Sequence, residues 1–327
     1  GPVFALVNLP EVVKGALFAR YSRSHKSLRR LFLDEFYENP DVGLEALAAQ
    51  VPSEDESIKL QRAERLYDRV FSDYGDDSVA QLGGAHLACE QASNILTKVL
   101  EWGRLASYLE QSTRYIYYDR PLGERFRYFT PPELEDSKVK KQFVTYMDLL
   151  FRTYSDLVRK LFEHYAKEFP KSQRDAPAVW RATIRAMACD TARGLLPAAT
   201  KSNVGIFGTG QAYEALLLRM RASPLGEVRD YSTLMLTELR KVIPAFLRRV
   251  DRPERGVIWS KYLSETASAT EQIAAQLEYS PQNTPEVTLV DWDPDAELKI
   301  AAAALYSSSD LPDDQLLAIG RAISGLE

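Results

Sequence analysis

Arg104, Ser107, Glu110, Ser112 and Arg114 fall within eleven consecutive residues. Guanidinium forks and hydroxyls are the groups that hold a phosphate, and a carboxylate reads a ring N–H or a sugar hydroxyl. This mixture therefore suits a small phosphorylated ligand. The same residues past a helix end would also make an ordinary solvated surface, and this segment alone leaves both readings open.

Other chemistries are thinly represented. Three histidines and two cysteines, far apart in 327 residues, argue against a zinc site. Cys89 and Cys189 lie among small and apolar residues, as buried thiols of a reducing, cytoplasmic protein do. A net charge of −5 argues against a general nucleic-acid binder. No apolar run approaches the roughly 20 residues of a membrane helix, and no signal peptide is visible. Gly1-Pro2 resembles a protease-cleavage scar, which leaves the natural start open. Arg20, Arg23, Lys26, Arg29 and Arg30 form a basic run that reads as a solvated helix face or an anion contact. His86 reads as a core or interface histidine, and His25 and His164 as solvent-facing.

The elements that must position these groups are mostly helical. Short helices are expected over 10–21 and 24–36, and a capped helix from Ser53 to about Tyr74. A long helix from Ser78 to about Trp102 would bury Val79, Leu82, Ala85, Cys89, Ala92, Leu96 and Leu100. Tyr115–Tyr118 is β-prone, and Phe126–Pro132 reads as an extended loop. Helices follow over 137–169, from Pro177 to Gly194, and over 211–222, 225–249 and 258–279, with a short strand at 201–207. Gly205–Gly210 reads as a tight turn entering a helix rather than a phosphate cradle. Residues 280–285 form a linker, followed by a strand at 287–292 and two helices. Ala16–Ser24 resembles Ala301–Ser309, which suggests a second repeat beginning near Glu286.

From Ser78 to Tyr115 the chain resembles, without a gap, the flavin-dependent thymidylate synthases, whose motif is Arg-His-Arg, two residues, Ser, two residues, Glu, one residue, Ser, one residue, Arg-Tyr. Glu90, Ser93 and Leu96 extend the match. A second block agrees: Ala192–Pro197, Leu218-Arg219 and Glu227–Tyr231. The resemblance implies an α+β fold, helix-rich with a small mixed sheet. It also implies methylation of dUMP, with methylenetetrahydrofolate as carbon donor, FAD as cofactor and NADPH as reductant, at sites shared between subunits of a homo-oligomer. Carried over position by position, Arg104, Glu110, Ser112, Arg114, Arg193 and Arg219 are the dUMP-binding residues, and Ser107 falls to the cofactor.

The flavin side departs from the pattern. Trp102-Gly103 replaces the first Arg-His, and Gln81-Leu82 replaces a Glu-His pair. Gly208 and Gly210 fall where an asparagine and an arginine are expected, and Ser223 and Leu225 where a histidine and a glutamine are. Leucine and glycine side chains cannot hydrogen-bond a diphosphate. The expectation is a family-like domain over 1–279 with a degenerate flavin side, a linker at 280–285 and the start of a second repeat at 286–327. The alternative is a non-catalytic nucleotide-binding or assembly module.

Overall fold

The computed structural model describes residues 4, 6, 9, 11–22, 24–37, 80–121, 123–277 and 286–324. The expected helix from Ser53, and Ser78 and Val79, lie outside them. The chain divides into two units, Gly1–Glu271 and Gln272–Glu327.

The first unit opens with α1 (Glu11–Tyr21) and α2 (Leu28–Leu31), capped by the Ser27 hydroxyl and prolonged by a π-helical turn to Tyr37. Then the structure departs from expectation. Residues 84–93 form a strand, β1 (Gly84–Ser93), and only α3 (Asn94–Leu100) is helical. Ala85, Cys89, Ala92, Leu96 and Leu100 are buried as expected, but Leu82 is exposed. A bulge explains the error. The register slips between Cys89 and Ala92, with Gln91 at φ 60° and its N–H held by Asn203 Oδ1 at 2.9 Å. The extra residue returns Ala92 to the buried side, so an interrupted two-residue alternation imitates a helical spacing.

β2 (Ala106–Glu110) and β3 (Lys201–Thr209) complete a sheet of order β1-β3-β2. The sheet is small, as expected, but both pairings are antiparallel rather than mixed. Tyr115–Tyr118 is not a strand. One face of the sheet supplies Ala85, Cys89, Val204 and Ile206 to a core shared with α6 (Gly210–Arg221) and α7 (Gly226–Leu239). The other face exposes His86, Ala88, Ser107, Leu109, Gly205 and Phe207. Thus His86 is not a core residue; its ring lies 4.6 Å from that of Phe207.

A second core forms where α4 (Lys140–Glu168) and α5 (Pro177–Ala192) meet the 116–128 segment, around Tyr118, Phe151, Tyr154 and Cys189. Val139 and Tyr146 are exposed, and the buried stripe of α4 runs through Phe151, Tyr154 and Val158. The helix expected over 225–249 stops at Leu239, and a 3-10 turn, Pro244–Leu247, follows. Pro244 has no N–H to continue an α-helix. Gly205–Thr209 belongs to β3, not to a turn, and Thr209 caps α6. The last helix of this unit, α8 (Ile258–Ala274), crosses the unit boundary in its final turn.

The second unit is a helical hairpin, α9 (Ala296–Tyr306) and α10 (Asp313–Ser324), with Leu298 and Leu316 buried. Residues 287–292 are not a strand. One offset relates the hairpin to α1 and α2: Ala296 stands 285 residues after Glu11, Tyr306 285 after Tyr21, and Asp313 285 after Leu28. Leu298 and Leu316 then fall on Val13 and Leu31, both fully buried. The hydrogen bond from Ser22 Oγ to Ala19 O recurs from Ser307 Oγ to Ala304 O.

Candidate functional site

β2 ends at Glu110, and the chain turns through Ser112–Tyr115, with Tyr115 N–H donating to Ser112 O at 3.3 Å. The Ser112 hydroxyl accepts from Arg114 N–H at 3.2 Å, so it shapes this turn. The turn brings Arg114 to the C-terminal end of α5, where Arg193 follows the last helical residue. Both guanidiniums meet one carboxylate: Arg114 Nη2 lies 2.8 Å from Asp190 Oδ2, and Arg193 Nη2 lies 3.0 Å from Asp190 Oδ1. Two arginines 79 positions apart thereby share an anion. Sequence reasoning missed Asp190, although its position three residues before Arg193 puts both on one helix face.

Arg104 and Arg219 form a second group. Both line a 130 Å³ cavity with Tyr108, Ile206, Gly208 and Tyr213. Arg104 lies in the turn between α3 and β2, and Arg219 in the last turn of α6. Tyr108 Oη donates to Gly103 O at 2.8 Å and closes that turn. Burial raises the Tyr108 phenol, against the pull of its own Gly103 hydrogen bond and of the Arg219 charge. Glu110 pairs with Lys98 Nζ at 3.0 Å, and the same ammonium reaches Glu101 at 3.1 Å. Ser107 stands on the open sheet face opposite Phe207.

The two sequence blocks also meet away from these arginines. Buried Glu227 accepts from Ser93 N–H at 2.8 Å and from Ser93 Oγ at 2.5 Å, and Tyr231 Oη donates to Glu90 O at 2.6 Å. Glu227 and Tyr231 therefore pin α7 to β1. Glu227 and Ser93 also border a 520 Å³ cavity with Phe129, Phe143, Met147 and Leu225. Burial pushes the Glu227 carboxyl above the usual range, with the two Ser93 bonds acting the other way.

The residues that family correspondence places at the flavin positions are Gln81, Leu82, Trp102, Gly103, Gly208 and Gly210, none of them a cation. A Cβ on Gly103 would lie 3.0 Å from Tyr108 Oη and 3.7 Å from Arg219 Nη2, so a side chain there would crowd the tyrosine hydroxyl. A Cβ on Gly210 would lie 2.5 Å from Phe246 Cβ, which leaves no room for an arginine. The Gln81 amide is engaged with Gln211, and Leu82 and Trp102 project into solvent. These positions offer no cation to a diphosphate.

The remaining candidates resolve simply. In the basic N-terminal run Arg20 pairs with Glu35, and Lys26 and Arg30 pair with Asp34. Arg29 lies over the Phe4 ring, and Arg23 lies outside the described residues. Burial pushes the Cys89 thiol up to about 11 and raises Cys189, so neither is a ready nucleophile. Among the described residues no group of three or more His, Cys, Asp or Glu is placed to hold a metal, and no helix is long and apolar enough to cross a membrane.

The first unit is thus a helix-rich α+β domain with arginine pairs beside a small antiparallel sheet. The model of the family described as thymidylate synthase complementing protein matches residues 33–245, and the chain belongs to that family, the flavin-dependent thymidylate synthases its motifs resemble. A UPF0159 protein of Chlamydia muridarum is 40% identical over 327 residues, covering 98% of this chain and 61% of its own length. A flavin-dependent thymidylate synthase of Clostridium tetani is 27% identical over 206 residues, covering 62% of this chain and 74% of its own length. The crystal structure of Thymidylate Synthase X from Helicobacter pylori with FAD and dUMP is 15% identical, with a TM-score of 0.42, over 72% of this chain and 94% of that one. The chain spans about three-fifths of the length of its chlamydial relatives.

Proposed function

We propose that this chain binds a pyrimidine nucleotide of the dUMP kind and is a divergent family member that has kept the nucleotide side of the site and lost the flavin side. The convergence of Arg114 and Arg193 carries the reading. Family correspondence assigns both to dUMP from separate sequence blocks, and the fold delivers both guanidiniums to one anion at 2.8 and 3.0 Å. A phosphate monoester suits such a pair, because each guanidinium presents several donors in a fixed fork. Arg104 and Arg219 supply a second cationic pair at a separate cavity, at the other end of β2 from Arg114, and Glu110, paired with Lys98, is the carboxylate that family correspondence assigns to the nucleotide. Ser112 shapes the turn that carries Arg114, and Ser107 faces the open side of the sheet.

The flavin positions favour a binding role over catalysis by this chain alone. When bound, FAD would supply the redox step of dUMP methylation, with methylenetetrahydrofolate and NADPH as co-substrates. The residues at 81, 82, 102, 103, 208 and 210 include no cation for its diphosphate.

The 285-residue offset supports a tandem arrangement: a first copy poor in flavin ligands, and a second copy that begins with the α9–α10 hairpin. A complete Arg-His-Arg motif in the second copy would assign the flavin chemistry there. Exposed Trp102, Leu105, Leu109 and Phe207 beside the arginines support completion of the site by another copy, in a homo-oligomer. The test is calorimetry with dUMP and FAD. Binding of dUMP that is lost in Arg114→Ala and Arg193→Ala, together with colourless purified protein, supports the proposal. A yellow protein, or dUMP binding indifferent to both substitutions, overturns it.

A further inference from the structure

The carboxylate between Arg114 and Arg193 belongs to the chain itself, and it stands where the ligand's phosphate must go. Resting on the nucleotide-binding reading above, we infer that Asp190 is a built-in competitor for the phosphate position, a specificity-determining residue that a doubly charged phosphate displaces more readily than a monoanion does.

Three observations carry this. Asp190 spends one oxygen on each arginine, Oδ2 on Arg114 at 2.8 Å and Oδ1 on Arg193 at 3.0 Å, as two oxygens of a phosphate would be shared. The contacts are imperfect: Oδ1 is shielded from solvent and has no donor aligned for a hydrogen bond. A carboxylate left in that state is held by charge more than by geometry, and a better-matched anion can replace it. Asp190 also sits in the last turn of α5, a helix with no basic residue in that turn, where the helix dipole disfavours a negative charge. The two arginines offset that position.

The consequence is selectivity. A phosphate monoester carries close to two charges at neutral pH and presents three acceptor oxygens. It outcompetes a single carboxylate, whereas a nucleoside or a singly charged ligand has little to exchange for the broken ion pairs. Asp190 thus weakens every anion but weakens monoanions most.

The test measures binding of dUMP and of inorganic phosphate to the full chain by calorimetry. Asp190→Asn keeps the shape and removes the charge, and it should bind both ligands at least about fivefold more tightly. Asp190→Ser serves as a second variant if the first folds poorly, judged by circular dichroism. Asp156→Asn, which removes an equal charge from the exposed surface of α4, should change neither affinity. Weaker or unchanged phosphate binding in the Asp190 variants would show that Asp190 only orients the arginines and would overturn the inference. An equal gain in Asp156→Asn would do the same, by reducing the effect to net charge. If the wild type ignores dUMP while Asp190→Asn gains phosphate affinity that Arg114→Ala abolishes, the inference stands and the nucleotide reading falls.

Discussion

Glu227 allows a perturbation whose size follows from the structure. Its carboxylate takes the Ser93 N–H at 2.8 Å and the Ser93 hydroxyl at 2.5 Å, where Ser93 is 2% exposed and Glu227 7%. Ser93 Oγ at the same time accepts from Leu96 N–H at 3.1 Å and so caps α3. Glu227→Leu would strand a buried N–H, at about 1–3 kcal/mol, and remove two hydrogen bonds to a charge, each about 1.5–3 kcal/mol. These contributions overlap, and losing a desolvated carboxylate offsets part of them, so the net cost should be about 2–3 kcal/mol. Glu227→Gln keeps an acceptor for the N–H and gains a donor toward Oγ, and should cost about 1 kcal/mol or less. The pH dependence gives a second readout. Burial raises the folded-state pKa, so the folded protein takes up this proton more readily than the unfolded chain. The contribution of Glu227 to stability is then fullest below the ordinary carboxylate pKa and declines as pH rises through the raised value. Urea unfolding at several pH values measures both, and the wild type should lose ground to Glu227→Gln as pH rises. Equal cost for Leu and Gln, or an advantage of the wild type that grows with pH, would refute the argument.

Gly210→Ala forces a Cβ to within 2.5 Å of Phe246 Cβ, so despite the better helix propensity of alanine it should destabilise by about 1–3 kcal/mol, read as a lower urea midpoint with unchanged slope. Restoring the family's arginine there should prevent folding altogether, seen as loss of soluble protein. Arg240 holds Asp251 by two bonds, at 2.8 and 2.6 Å, and lowers its pKa. The pair is more than a third exposed, so Arg240→Ala should cost only about 1 kcal/mol at neutral pH. That contribution is present above the ordinary Asp value and is lost as pH falls through the lowered one, so wild type and variant should converge in acid denaturation.

Much of the helical frame was legible because its signals are local. Pro177 starts α5, and the 3.6-residue stripe of α4 is strong. β1 was not legible, since its bulge at Gln91 depends on Asn203, 112 residues away. Pro244, which has no N–H, lies inside the expected 225–249 span and begins the 3-10 turn that follows the helix end at Leu239. At the site, the arginines were found through motif correspondence, not through any pattern that shows them converging. Asp190 escaped because nothing local distinguishes it from any surface acid on a helix; its meaning comes from Arg114, delivered by a turn far away in sequence.

The central claim is that Arg114 and Arg193 hold the phosphate of a pyrimidine nucleotide in this chain. Calorimetric titration of dUMP into the wild type and Arg114→Ala, with deoxyuridine as the phosphate-free control, tests it most directly. The account predicts that the wild type binds dUMP, that deoxyuridine binds far more weakly, and that Arg114→Ala loses about 2 kcal/mol or more of dUMP binding, as for other charged hydrogen bonds. Equal affinity of the wild type and Arg114→Ala for dUMP would contradict it.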